Sequence, residues 1–79
     1  MTYREAFRHG ESLLLGQGIE DAKTDAWLLL SMACKIERSF YYLHMEEELP
    51  EDQLKGYEIA LKKRAEHVPL QYITGETEF

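Results

Sequence analysis

The sequence predicts an all-α fold, a small orthogonal bundle of four to five helices. Three observations lead there. Apolar residues recur at helical spacing through most of the chain. Glycine and proline fall at the breaks between these stretches, at Gly16, Gly18, Pro50, Pro69 and Gly75. The 79 residues cannot hold the several βαβ units, of about 30 residues each, that a nucleotide-binding α/β domain needs.

Thr2 followed by Glu5 is a capping box, which starts the first helix. Tyr3, Ala6, Phe7, Leu13 and Leu14 share one stripe of it. Gly10 falls inside that stripe, so another helix is expected to approach closely there. Gly16 and Gly18 are the C-cap candidates. Ile19 opens the second element, with Glu20 and Asp21 suited to its positive end. Ala22, Ala26, Leu29, Leu30 and Ala33 make it the central helix, and Trp27, Leu28 and Met32 widen its apolar face. Ser39 caps a short third helix containing Phe40 to His44. Pro50 suits the first position of a fourth helix running to about Ala65. Its inner face is Leu54, Tyr57, Leu61 and Ala65, and Gly56 is read as a close-packing point. Acids in its first turn (Glu51, Asp52) and bases in its last (Lys62, Lys63, Arg64) complement the helix dipole. Pro69 restarts a fifth helix ending at Gly75. One core is expected from Leu14, Ala26, Leu29, Leu30, Leu54, Tyr57 and Leu61.

Nine Lys and Arg stand against fifteen Asp and Glu, a net charge of −6. An acidic surface repels phosphate backbones, so neither nucleic acid nor an anionic membrane is an expected partner. The longest unbroken apolar run, Ala26 to Leu30, is far short of the ~20 residues of a membrane span. Met1 to Glu5 has no apolar region of the signal-peptide kind. A lone cysteine, Cys34, excludes an internal disulfide and fits a reducing cytoplasm.

Chemistry is sparse. The five glycines never form a phosphate loop. Cys34 and the three histidines are scattered without metal-ligand spacing, so no metal site is expected. Cys34 reads as a small hydrophobe on the central helix rather than a nucleophile. His9 and His44 read as surface or rim residues, and His67 as a cap on a carbonyl. Trp27, Tyr41 and Tyr42 read as core and rim. Glu46, Glu47 and Glu48, with Glu51 and Asp52, form either a solvated loop with helix-start acids or a docking patch for a basic partner. The residues alone describe a helical domain without an active site.

The last sixteen positions add more. Arg64-Ala65-Glu66-His67-Val68-Pro69-Leu70-Gln71-Tyr72-Ile73-Thr74-Gly75-Glu76-Thr77-Glu78-Phe79 resembles the junction R-x-x-x-x-P-x-x-Y-I-x-G-x-x-E-F of the HemK/PrmC family of release factor glutamine methyltransferases. Arg4-Glu5-Ala6 with Gly10 and Leu13-Leu14 is similar to that family's first helix. Gly18-Ile19, Asp25-Ala26 and Leu29-Leu30 are similar to its second, and Leu43-His44 with the acidic loop to the region before its fourth. His67 departs from the pattern, where many members carry glycine, and so does Lys35, where a glycine often ends the helix.

The resemblance implies that residues 1–75 are a helical substrate-recognition domain. Residues 76–79 would then begin the connector to a catalytic domain beyond this chain. It implies a parent enzyme that methylates the glutamine of the Gly-Gly-Gln motif in class I release factors, using S-adenosylmethionine. The family's cofactor loop and its Asn-Pro-Pro-Tyr motif are not in these 79 residues, so no catalytic, cofactor or metal residue carries over and this chain alone is expected to be inactive. The expected partners are the release factor and the parent's own catalytic domain. Arg64, Gln71, Tyr72 and Glu78 lie nearest the connector and are the candidates for organising it, against a plainer reading in which Tyr72 and Ile73 only pack the fifth helix. The alternative is a freestanding helical interaction or dimerisation module, which a native stop codon after Phe79 would favour.

Overall fold

A computed structural model describes residues 1–74, which form five helices: α1 (Tyr3–Gly16), α2 (Ala22–Cys34), α3 (Arg38–His44), α4 (Glu51–Ala65) and α5 (Leu70–Thr74). Helices α1, α2 and α4 pack on one another, and the short α5 rests on α4 and α2. No strand forms among the described residues. The predicted end of α5 at Gly75 lies outside them.

The capping box at the start of α1 is complete. Thr2 Oγ1 accepts from the Glu5 N–H at 3.1 Å, and Glu5 Oε1 accepts from the Thr2 N–H at 2.9 Å. The remaining free amides of that first turn use a distant partner. Tyr3 N–H donates to the Glu47 carbonyl at 3.1 Å and Arg4 N–H to that of Met45 at 3.0 Å. An isolated bridge between Thr2 and Glu48 completes this backbone seam.

Helices α1, α2 and α4 end in the same way. A residue with left-handed backbone is followed by a β-branched aliphatic residue whose N–H reaches five positions back. Gly18 (φ 82), Lys35 (φ 55) and His67 (φ 68) are the left-handed residues. Ile19 N–H bonds Leu14 O at 3.0 Å, Ile36 N–H bonds Ser31 O at 3.2 Å, and Val68 N–H bonds Lys63 O at 3.1 Å. At Gly18 and His67 the left-handed residue also bonds the carbonyl three back, the full Schellman pattern.

This device corrects several boundaries. Ile19 is buried but belongs to the end of α1, because its amide is used there; α2 begins at Ala22 after Asp21. Ser39 is not a cap. The chain leaves the Lys35 turn extended through Glu37, and Tyr41 N–H bonds the Glu37 carbonyl at 3.0 Å, so α3 starts before Ser39. Pro50 stands just outside α4, its carbonyl accepting from Leu54 N–H at 2.9 Å.

The core contains Leu14, Ala26, Leu29, Leu30, Tyr57 and Leu61 as predicted, with Tyr3, Ala6, Ile19, Trp27, Tyr41 and Leu49. Leu54 is half-buried against it rather than enclosed. Leu28 is 41% exposed, so Trp27 widens the buried face of α2 but Leu28 does not. Gly10 is buried at the α1–α4 crossing, whereas nothing approaches within 4 Å of a side chain at Gly56. The difference is helical phase. Gly10 lies four residues from both Ala6 and Leu14 on the buried stripe, while Gly56 lies off the line of Leu54, Tyr57 and Leu61.

Candidate functional site

Two regions carry the polar side chains that sequence reasoning singled out. The first is the turn from α4 into α5. Arg64, in the last turn of α4, places Nε 2.9 Å from Asp25 Oδ2 on α2 and donates from Nη1 to the Val68 carbonyl at 2.9 Å. Asp25 is a charged residue inside the core, 7% exposed. Burying a carboxylate is costly unless it is paired, and Arg64 supplies both the pairing and the tie to the turn. Helix α5 then packs Leu70 and Ile73 against the core. Gln71 and Tyr72 face outward, Tyr72 with 61% of its surface exposed. Glu78 lies outside the described residues.

The sequence marks Asp25 only through its likeness to the family's second helix, with no role at a site. Its phase was the available signal: a carboxylate between Ala22 and Ala26 and Leu29 falls on the buried face of α2. Its partner, 39 positions later, carries no local signal.

The second region is the loop after α3. Glu46 meets Arg4 at 2.7 Å, Glu47 meets His44 Nδ1 at 2.8 Å, and Glu48 meets the amino group of Met1 at 2.9 Å. All three carboxylates are exposed, and each is engaged inside the molecule. The loop is held by α1 and α5 by α2 and α4, so different elements position the two regions.

Cys34 is buried and its thiol is pushed up to about 11 by desolvation. That removes it from nucleophilic chemistry near neutral pH. No group of His, Cys, Asp and Glu among the described residues could hold a metal ion. No helix among them is long and apolar enough to cross a membrane.

Comparison with known families decides the kinship. The model of the PrmC N-terminal domain matches residues 5–75. The chain belongs to this family. Among curated relatives, the release factor glutamine methyltransferase of Moorella thermoacetica is 35% identical over 79 residues, the whole of this chain and 28% of the relative. That of Koribacter versatilis is 32% identical over the same span and share. A bifunctional methyltransferase of Rickettsia conorii is 31% identical over 62 residues, 78% of this chain and 12% of the relative. The chain thus spans about 28% of the first two relatives' length. No solved structure gives a significant match. In this PrmC N-terminal domain, Lys35 and His67 both take left-handed backbone. Neither is the glycine that such backbone favours.

Proposed function

We propose that this chain is the non-catalytic, release-factor-recognition domain of an S-adenosylmethionine-dependent protein glutamine methyltransferase. The supporting observation is the family match together with coverage: relatives named release factor glutamine methyltransferase align with the whole chain, which makes up 28% of them. The substrate would be a class I release factor, methylated at its Gly-Gly-Gln glutamine in the cytoplasm. The cofactor would sit in the catalytic domain.

The physical division is sensible. Methylating one glutamine among many needs contacts remote from the reacting amide, and remote binding energy can position that amide. A rigid bundle suits this role. In this reading residues 1–75 grip the substrate and residues 76–79 begin the connector. Arg64 would organise the connector through Asp25 and Val68, with Gln71, Tyr72 and Glu78 on its substrate side. Glu46, Glu47 and Glu48 would meet a basic stretch of the partner. A domain offering about 600–800 Å² would bind weakly alone, and tethering to the catalytic domain would make that useful.

The test is made in the full-length enzyme. Residues 1–66 are deleted, and methylation of an intact release factor is compared with that of a short Gly-Gly-Gln peptide. Activity on the intact factor should fall much more than activity on the peptide. Equal losses on both would show that the domain only stabilises its neighbour. Changing Glu46, Glu47 and Glu48 to Gln should slow association and weaken its salt dependence; no change in either would leave them as a loop staple.

A further inference from the structure

The acidic total conceals a local reversal. A cleft of about 390 Å³ between α1, α2 and α3 is bordered by Arg4, Arg8, Lys23 and Arg38, four of the nine Lys and Arg of the chain. One carboxylate, Glu11, lines it with them. Arg4 is engaged by Glu46 at 2.7 Å. Among the described residues, Arg8, Lys23 and Arg38 have no acidic partner within 4.0 Å. They come from three different helices of a chain with fifteen acids, so the convergence is not the amphipathic face of one helix. A cleft lined by one sign of charge focuses its field and concentrates the opposite charge.

Two buried or half-buried aromatic rings, Phe7 and Tyr41, line the cleft, and both pack on Trp27. Phe7, Trp27 and Tyr41 pack edge to face in a triangle, with centroids 6.1, 5.8 and 5.4 Å apart. The Arg38 guanidinium stacks 5.0 Å from the centroid of Trp27. Stacking holds a guanidinium by its face and leaves its N–H edge for an acceptor. Tyr42, 61% exposed, stands at the rim.

We infer that this cleft binds a short acidic peptide segment of a protein partner, two or three carboxylates meeting Arg8, Lys23 and Arg38 beside Phe7 and Tyr41. The size and setting favour a peptide over a nucleic acid. About 390 Å³ accommodates a few side chains. The Glu46 to Glu48 loop borders the cleft through Arg4 and repels an extended phosphate backbone, while a short segment can avoid it. Carboxylates suit forked guanidinium donors, which bind them bidentately. Assigning that segment to a release factor rests on the function proposed above; the cleft's affinity for carboxylates does not.

The experiment uses the chain itself and three probes: a blocked Asp-Glu-Phe-Asp-Glu peptide, its Asn/Gln analogue, and a single-stranded oligonucleotide. Amide chemical shifts are followed by NMR at low and at physiological salt. The acidic peptide should saturate and shift resonances around Arg8, Lys23, Arg38 and Tyr42, more weakly as salt rises. The Asn/Gln analogue should leave them still. R8Q/K23Q and R38Q should each weaken binding by about tenfold or more, while thermal melting shows them folded. Absence of shifts, equal response to the amide analogue, or tighter binding of the oligonucleotide would each overturn the inference. The deletion experiment fails independently: a cleft that binds the peptide in an enzyme indifferent to loss of residues 1–66 would sink the recognition role and leave the cleft standing.

Discussion

The Tyr57 hydroxyl lies directly over Gly10 and donates to the carbonyl of Ala6 at 3.0 Å. A Cβ at position 10 would stand 2.0 Å from that oxygen and 3.1 Å from Leu61 Cδ2. The residue at 10 therefore sets how near α4 comes to α1.

Gly10→Ala is expected to destabilise the domain although alanine is the better helix former by about 1 kcal/mol. Overpacking a filled core costs about 1–3 kcal/mol, and Tyr57 is fully buried and anchored. Denaturant unfolding measures the loss. In a Tyr57→Phe background the same change should cost less, because the 2.0 Å contact is gone. An unchanged cost would place the conflict at the ring carbon of residue 57 or at Leu61 Cδ2, 3.0 and 3.1 Å from that Cβ.

Lys35→Gly and His67→Gly are each expected to stabilise by about 0.5–1 kcal/mol. Left-handed backbone costs a residue with a Cβ about 1–2 kcal/mol, and glycine returns part of that gain through the freedom of its unfolded chain. A rise in melting temperature for both variants checks this; a fall would show that the lysine or histidine side chain contributes more than its backbone costs.

Asp25→Ala should cost about 3 kcal/mol by leaving the Arg64 guanidinium half-buried without its partner. The loss should also be visible locally. Amide protection from Val68 to Tyr72 should fall further than that of α1, since Arg64 also holds the Val68 carbonyl. Uniform loss across the molecule would mean that the pair supports the core and not the turn.

Stability should decline in alkali. Burial raises the Cys34 thiol from an ordinary 9 to about 11 and the Tyr57 hydroxyl in the same direction. The folded state then holds these protons more tightly than the unfolded one, so the Cys34 contribution is intact below pH 9 and is lost as pH rises through 11, and Tyr57 adds a loss of the same sign at higher pH. Melting temperature against pH checks the slope, and Cys34→Ala should flatten part of it. Alkylation of Cys34 at pH 8 should be slow until denaturant is added.

Local chemistry was the legible part of this sequence. The capping box, the apolar phases of α1, α2 and α4, and the close approach at Gly10 all follow from residues within a few positions of one another. The helix ends were half legible. Gly18-Ile19, Lys35-Ile36 and His67-Val68 share a left-handed residue before a β-branched one, yet lysine and histidine do not announce that backbone as glycine does. What spacing could not supply was long-range pairing. Asp25 finds Arg64 across 39 positions. The cationic cleft is assembled from Arg8, Lys23 and Arg38 on three helices, and the total charge of −6 points the other way.

The seam between α1 and the loop after α3 divides the first turn of a single helix between two fates. Glu5 and Ala6 are satisfied by Thr2 from within α1 itself, so their amides remain bonded as long as that helix exists. Tyr3 and Arg4 depend on the carbonyls of Glu47 and Met45. Their bonds cannot form until the chain has closed a loop of more than forty residues, and they break whenever α3 lifts away. Neighbouring amides in one helical turn thus belong to different cooperative units, one forming early and locally, the other recording the moment when α1 meets the loop after α3.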